Sequence, residues 1–328
     1  MSNKPKVLVA RAIFPDQLAK LEESFEVRSN QPDRVFTPEE LQKELSNVVG
    51  ALVAGSERVD ASALANAKNL KIVANIAVGY NNFDIPAMTA AGVMASNTPG
   101  VLTDTTADFG FALLMATARR ITESERWIRD GLWDQWSIVH NPLGMDLHHS
   151  TLGIIGMGRI GQGIAKRALA FGMKVIYHNR SRLPEADEKA CGATYVSKEE
   201  LLRTADHVVL VLPYTPENHH TIGAKEIALM KPTATLVNIA RGGIVDDLAL
   251  AQALKENKIF AAGLDVFEGE PKVNPELLKL SNIVLAPHIA SASEHTRRAM
   301  VDLAADNLRA ALAGQKPPSL INAELFKP

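Results

Sequence analysis

The chain has 328 residues, 46% of them hydrophobic and 22% charged, with a formal net charge of −2. That length allows about two domains at roughly 150 residues each, and the composition suits a globular chain with a real core. The near-neutral balance argues against nucleic-acid binding, the single cysteine, Cys191, excludes an internal disulfide, and no window nears the roughly 20 apolar residues of a membrane span.

The first stretch, MSNKPKVLVARAIFPDQ, carries one brief apolar run that reads as a β-strand, and it lacks the long apolar segment and cleavage site of a signal peptide. A cytoplasmic protein is therefore expected. From KVLVARA through GALVAG, LKIVANIAVG and VMASN, apolar runs alternate with segments of helical period, which predicts βα units and a parallel sheet. One long helix is expected from Thr103 to about Asp130, its apolar face running through Ala107, Phe111, Leu114, Met115 and Ala118. A second series follows: TLGIIG, KVIYHN, HVVLVLP, ATLVNIA, AAGLDV and NIVLAP. These are nearly continuous apolar runs, as expected where both faces of a parallel sheet are covered. Residues 293–313 read as a closing amphipathic helix, ended by Gly314 and the Pro317-Pro318 pair. If that helix returns to the first domain, the expected division is residues 1–100 with 291–328 against residues 101–290, with a cleft between.

Gly156-Met157-Gly158-Arg159-Ile160-Gly161 is a G-x-G-x-x-G between the strand TLGIIG and the helix RIGQGIAKRALAFG. Its glycines permit a tight turn and close approach to a pyrophosphate, whose charge the helix N-terminus meets. With strand, helix and second strand all in place, the pattern predicts dinucleotide binding. About 18 residues beyond Gly161, where an acid would take the ribose 2′-OH of NAD, stand Asn179, Arg180, Ser181 and Arg182. A carboxylate there would repel the extra phosphate of NADP, whereas Arg offers it charge-assisted bonds, so NADP(H) is the preferred cofactor, with NAD(H) left open as a second. A basic solvated loop is the alternative reading.

Arg241, Glu270 and His288 lie at the ends of late strands or just beyond them, where ligands of open α/β sheets bind. Together they supply an anion clamp and an acid/base pair, the carboxylate orienting the imidazole and favouring its charged form. The pairs His148-His149 and His219-His220 give no metal-ligand face at adjacent positions and no accompanying carboxylate or Cys pattern, so no metal is expected.

Six stretches taken in order, 76-IAVGYNNFD-84, 97-NTPGVLTDTTAD-108, 152-LGIIGMGRIGQ-162, 238-NIARGGIVDD-247, 262-AGLDVFEGEP-271 and 286-APHIASAS-293, resemble the D-isomer-specific 2-hydroxyacid dehydrogenases over essentially the whole chain. Within that family the similarity is greatest to the glyoxylate/hydroxypyruvate reductases, including the bacterial group that also reduces 2-ketogluconate. The resemblance implies an α/β protein of two domains, with a Rossmann-type doubly wound cofactor domain inserted in a smaller flavodoxin-like substrate domain. It implies reduction of small 2-oxo acids to D-2-hydroxy acids by hydride transfer from NADPH, with His288 as proton donor paired with Glu270 and Arg241 on the substrate carboxylate. It further assigns the amides of Val78 and Gly79 to that carboxylate, Arg159 and Ile160 to the pyrophosphate, Leu212 and Pro213 to the adenosine side, and Asp265 to the neighbourhood of the nicotinamide carboxamide. A homodimer is implied around the segment that holds 131-GLWDQW-136, with Trp136 reaching the neighbouring active site. Ala290 departs from the glycine of many relatives. Three rivals share the scaffold: a 3-phosphoglycerate dehydrogenase, which would carry an acid at Asn179 and a regulatory domain; a formate dehydrogenase, which would carry a neutral amide at Glu270; and a non-catalytic dinucleotide sensor.

Overall fold

Runs such as VLV, ALV and IVAN are buried residue by residue, so both faces of each strand are covered and the strands pair in parallel. The computed structural model describes residues 4–326, so residues 1–3 and 327–328 of the expected first domain lie outside it. The chain forms two units, one from the residues up to Leu102 together with those from Ala292 on, the other Thr103–Ser291. All strand pairs in both sheets are parallel, and the α/β, Rossmann-type class expected from the motifs is the one observed.

The first unit is built on a five-stranded sheet of β1 (Lys6–Val9), β2 (Glu26–Ser29), β3 (Gly50–Val53), β4 (Ile72–Asn75) and β5 (Met94–Ser96), in the order β2-β1-β3-β4-β5. One face is closed by the helix Glu294–Leu312, whose Val301, Ala304, Ala305 and Leu308 pack with Leu52 and Ile72. Leu41, Leu45, Val59 and Met88 close the other. The order places the switch point between β1 and β3, where loops leave in opposite directions and open a crevice at the carboxyl ends.

The second unit holds seven strands: β6 (Thr151–Ile155), β7 (Lys174–His178), β8 (Ala193–Tyr195), β9 (His207–Leu210), β10 (Thr235–Asn238), β11 (Ala261–Leu264) and β12 (Ile283–Leu285). Their order, β12-β11-β10-β9-β6-β7-β8, puts the switch point between β6 and β9. The glycine motif leaves β6 at this point, and Leu212 and Pro213 follow β9.

Two expectations are corrected. The long helix after residue 102 is two helices, Thr103–Ala118 and Ile121–Arg129, because Arg120 adopts a left-handed φ of 52°. The Arg120 guanidinium holds Glu123 at 2.7 Å and stacks 5.9 Å from the Phe260 ring, contacts that fix the break. The short strands β2 and β8 are also absent from the sequence reading. β2 is EVRS, mostly exposed at a sheet edge, and so lacks the apolar run that marks the other strands.

Candidate active site

The three motif glycines do different physical jobs. Gly156 has a φ of 105°, and a Cβ there would sit 2.6 Å from the carbonyl carbon of Val211, so both turn and packing require glycine. A Cβ on Gly161 would lie 2.4 Å from the Gly156 oxygen, whereas one on Gly158 would meet nothing within 4 Å. The open side at Gly158 is the cradle a ligand backbone can enter. The helix Arg159–Ala170 has no side-chain cap, and its first internal bond runs from Gln162 N to Gly158 O, which leaves its first-turn amides without intrahelical partners. The residues present therefore fit a dinucleotide pyrophosphate.

The four residues after β7 are not equivalent. Asn179 accepts the Met157 amide at 2.7 Å through Oδ1, so its side chain braces the glycine turn. Arg180 and Ser181 are exposed. Arg182 donates through Nε and an Nη to both oxygens of Glu188, at 2.8 and 2.7 Å. The buried Glu188 also accepts the Tyr177 hydroxyl at 2.6 Å, and that hydroxyl accepts the Leu183 amide at 2.9 Å. Arg182 first and Tyr177 second hold the Glu188 carboxyl down at about 2, while burial and then Glu188 push the Tyr177 phenol up to about 12. Arg182 thus serves a buried carboxylate, a commitment that the charge pattern alone does not reveal.

Arg241 follows β10 in the loop NIARGG, whose shape is set by Asn238: its side chain donates to Arg241 O at 3.1 Å and accepts the Ala240 amide at 2.9 Å. A Cβ on Gly242 would fall 1.8 Å from Phe267 O. Glycine there lets the loop bearing Arg241 lie against the loop bearing Glu270. Burial lowers the Arg241 pKa, against the charge of Glu270.

Glu270 lies 2.8 Å from Nδ1 of His288 through Oε2 and accepts the Phe267 amide at 2.8 Å through Oε1. Burial raises its pKa, but the His288 hydrogen bond, the Phe267 amide and the charges of His288 and Arg241 outweigh it, so the group stays below the ordinary carboxylate range. An ionised carboxylate only accepts, so Nδ1 is the donor and Nε2 is left for proton exchange.

His288 itself is held in a left-handed conformation, φ 54°. Its amide donates to Asp265 O at 2.8 Å, and the fully buried Asp265 carboxylate accepts the Ile289 and Ala290 amides at 2.8 and 2.9 Å. Burial raises the Asp265 pKa in spite of those two bonds. Asp265 is the clamp on the His288 loop, a contribution with no local sequence signal.

Val78 and Gly79 lie beyond β4 in the first unit, half-buried. Trp136 is 74% exposed, in an irregular segment that also exposes Leu132, Trp133, Ile138 and Val139.

The structure corrects the reading of one histidine pair. His219 and His220 stack at 3.8 Å, and Glu268 approaches both, 3.8 Å from His219 Nε2 and 3.2 Å from His220 Nε2. A carboxylate 48 residues away in the chain accompanies them after all. The ring planes lie only 24° apart, so their in-plane lone pairs run side by side rather than converging on one ion.

A doubly wound sheet with a dinucleotide cradle at its switch point and an Arg, Glu and His on neighbouring strand ends defines a nicotinamide-dependent oxidoreductase. Residues 111–290 match the NAD binding domain of the D-isomer specific 2-hydroxyacid dehydrogenases. A glyoxylate reductase of Thermococcus gammatolerans is 48% identical over 327 residues, covering 99% of this chain and 98% of that protein. Among solved structures, the TT0316 protein of Thermus thermophilus superposes with a TM-score of 0.89 at 43% identity, covering 96% of this chain and 99% of that one. An NADPH-dependent glyoxylate/hydroxypyruvate reductase of Sinorhizobium meliloti, in complex with NADP and malonate, gives 0.87 at 34% identity, with 99% of each chain covered. The chain belongs to the D-isomer specific 2-hydroxyacid dehydrogenases. It is an oxidoreductase that uses a nicotinamide dinucleotide on a small-molecule substrate, and no described helix is long and apolar enough to cross a membrane.

Proposed function

We propose that this enzyme reduces small 2-oxo acids, glyoxylate and hydroxypyruvate first and 2-ketogluconate as a longer candidate, to D-2-hydroxy acids, with NADP(H) preferred over NAD(H). The observation that carries the reading is the His288 Nδ1 to Glu270 Oε2 bond of 2.8 Å, which leaves Nε2 as the one exchangeable proton position of a held imidazole. The relatives named glyoxylate reductase and the NADP-bound neighbour support the substrate class and the cofactor.

When bound, a reduced nicotinamide supplies the hydride to the keto carbon. His288 gives its Nε2 proton to the carbonyl oxygen, and Glu270 steadies the imidazole before and after that transfer. Arg241 and the amides of Val78 and Gly79 fix the substrate carboxylate, which aligns the carbonyl and restricts its approach. Gly156, Gly158, Arg159, Ile160 and Gly161 cradle the pyrophosphate, Asn179 holds the turn, and Arg180 with Ser181 faces the adenosine 2′-phosphate while Arg182 shapes their loop. Leu212 and Pro213 line the adenosine, and Asp265 lies beside the carboxamide. The enzyme works as a cytoplasmic homodimer whose exposed apolar stretch around Trp136 meets its partner, a role supported by the exposure of Leu132, Trp133, Trp136, Ile138 and Val139 along one segment.

The test is kcat/KM for glyoxylate, hydroxypyruvate, 2-ketogluconate and 3-phosphohydroxypyruvate, each with NADPH and with NADH. His288→Ala should lose about two or more orders of magnitude in turnover with NADPH affinity little changed, in line with general-acid contributions. Wild-type inactivity on the whole panel would sink the reading and leave the sensor alternative.

A further inference from the structure

Resting on that reading, we propose that Asn75 and Asn97 are positioning residues that preform a run of three amides, those of Val78, Gly79 and Tyr80, for the carboxylate of the substrate. Three successive carbonyls beyond β4 are each taken by a donor of the first unit. Ala77 O accepts the Thr98 amide at 2.9 Å. Val78 O accepts Asn97 Nδ2 at 2.8 Å, and Gly79 O accepts Asn75 Nδ2 at 2.9 Å. In a trans peptide the C=O and the following N–H point in opposite directions. Fixing those carbonyls on these donors therefore turns the N–H groups of Val78, Gly79 and Tyr80 away from them. Among the described residues none of these three amides donates to a protein acceptor. Consecutive outward amides make an anion-binding concavity.

The orientation of the side chains is fixed by their partners. Asn75 is fully buried, and both groups facing its Nδ2, Gly79 O and Asn82 Oδ1, can only accept. Its own Oδ1 is buried with no partner. A position that served packing alone would not keep that orphaned oxygen, because an apolar side chain of similar size avoids it. Asn82 extends the brace, donating to Ala54 O and Glu57 O at 3.0 and 2.9 Å, and Glu57 Oε2 in turn accepts the Ala54 amide at 2.9 Å. The loops beyond β3 and β4 are thereby tied together. Two residues fixed from behind, rather than the amides alone, set the distance at which a carboxylate is received.

The experiment compares Asn97→Ala, Asn75→Ala and Asn75→Asp with wild type, reading KM and kcat for glyoxylate, KM for NADPH, thermal midpoint, and calorimetric affinity for malonate in the presence of NADP⁺. Asn97 is only half-buried, so its variant keeps the test open if Asn75 variants fail to fold. The expected result is a roughly 10-fold rise in glyoxylate KM and in malonate Kd, a smaller change in kcat, and NADPH KM within twofold of wild type; Asn75→Asp, which keeps the shape but not the donor, should be at least as impaired as Asn75→Ala. Glyoxylate KM and malonate Kd within twofold of wild type in folded variants would overturn the proposal. So would parallel losses in both substrate and cofactor KM, which mark general loosening. If wild type reduces no 2-oxo acid, the proposed activity fails, while the malonate arm still reads the amides directly.

Discussion

Nδ1 of His288 lies 2.8 Å from Oε2 of Glu270, and the carboxylate that receives it is held below its ordinary range by that bond, by the Phe267 amide and by nearby positive charge, against the effect of burial. Glu270 is therefore ionised across neutral pH and supports the imidazole as a pure acceptor of its Nδ1 proton. Replacing it with an isosteric neutral group removes that support without emptying the space. Glu270→Gln should lower kcat/KM for the reductive direction by about one to two orders of magnitude. A kcat/KM for Glu270→Gln within twofold of wild type would show that the carboxylate does not act through the imidazole.

The two arginines beyond β7 should separate in a cofactor assay. Arg180 is exposed, whereas Arg182 is bidentate on Glu188. Arg180→Ala should raise the NADPH KM by about 10-fold and leave the NADH KM within twofold, since a lost charge-assisted phosphate bond amounts to roughly 1.5–3 kcal/mol at most. Arg182→Ala should act through the loop, shifting both KM values together and lowering the thermal midpoint, because Glu188 is then left buried with Tyr177 as its remaining side-chain partner. A selective NADPH effect from Arg182→Ala alone would reverse the two assignments.

Local pattern made much of this protein legible, and long-range pairing accounts for most of what it hid. The glycine turn, its flanking strand and its helix are contiguous, so Gly156, Gly158 and Gly161 could be placed from spacing alone. Arg241, Glu270 and His288 stand just beyond the ends of three late apolar runs, which located them at the carboxyl ends of one sheet. Nothing in the apolar spacing after Thr103 announces a left-handed Arg120, because the break is held by Glu123 and by Phe260 from a distant segment. The same limit hid Glu268 beside His219 and His220, and Asp265 beneath Ile289 and Ala290. Arg182 and Glu188 stand six residues apart, yet their pairing depends on the turn of helix Glu185–Cys191, which the sequence reading did not define.

Asp265 offers a test of how much the held conformation of His288 matters. A non-glycine residue at φ 54° costs of order 1 kcal/mol and persists only where its surroundings over-determine it. Here the Asp265 carboxylate supplies two of the restraining bonds. Asp265→Ala should reduce kcat by about 10-fold or more and lower the thermal midpoint by several degrees, with the NADPH KM changed less than kcat. An unaltered kcat would mean that the loop keeps its shape without the clamp.

Asp247 gives a prediction about stability rather than turnover. It is almost fully buried and accepts the Glu268 amide at 3.1 Å, and its carboxyl is pushed up to about 6 by burial first, with Glu268 and Asp246 adding to the rise against that bond and His220. An unfolded Asp titrates near 3.9, so below about pH 4 both states are protonated and the group contributes nothing to the pH dependence. Between about pH 4 and 6 the unfolded chain ionises while the folded one does not, and stability falls as pH rises. Above that window the penalty is constant, at most about 2–3 kcal/mol for a shift of this size. Asp247→Asn lacks the ionisation, so its thermal midpoint should gain on that of wild type from pH 4 to 6.5 by a few degrees and then run parallel. The change in the difference is what matters, because loss of carboxylate strength in the Glu268 bond adds a fixed offset at every pH. A difference that stays flat from pH 4 to 8 would show that Asp247 titrates in the fold as it does in the unfolded chain.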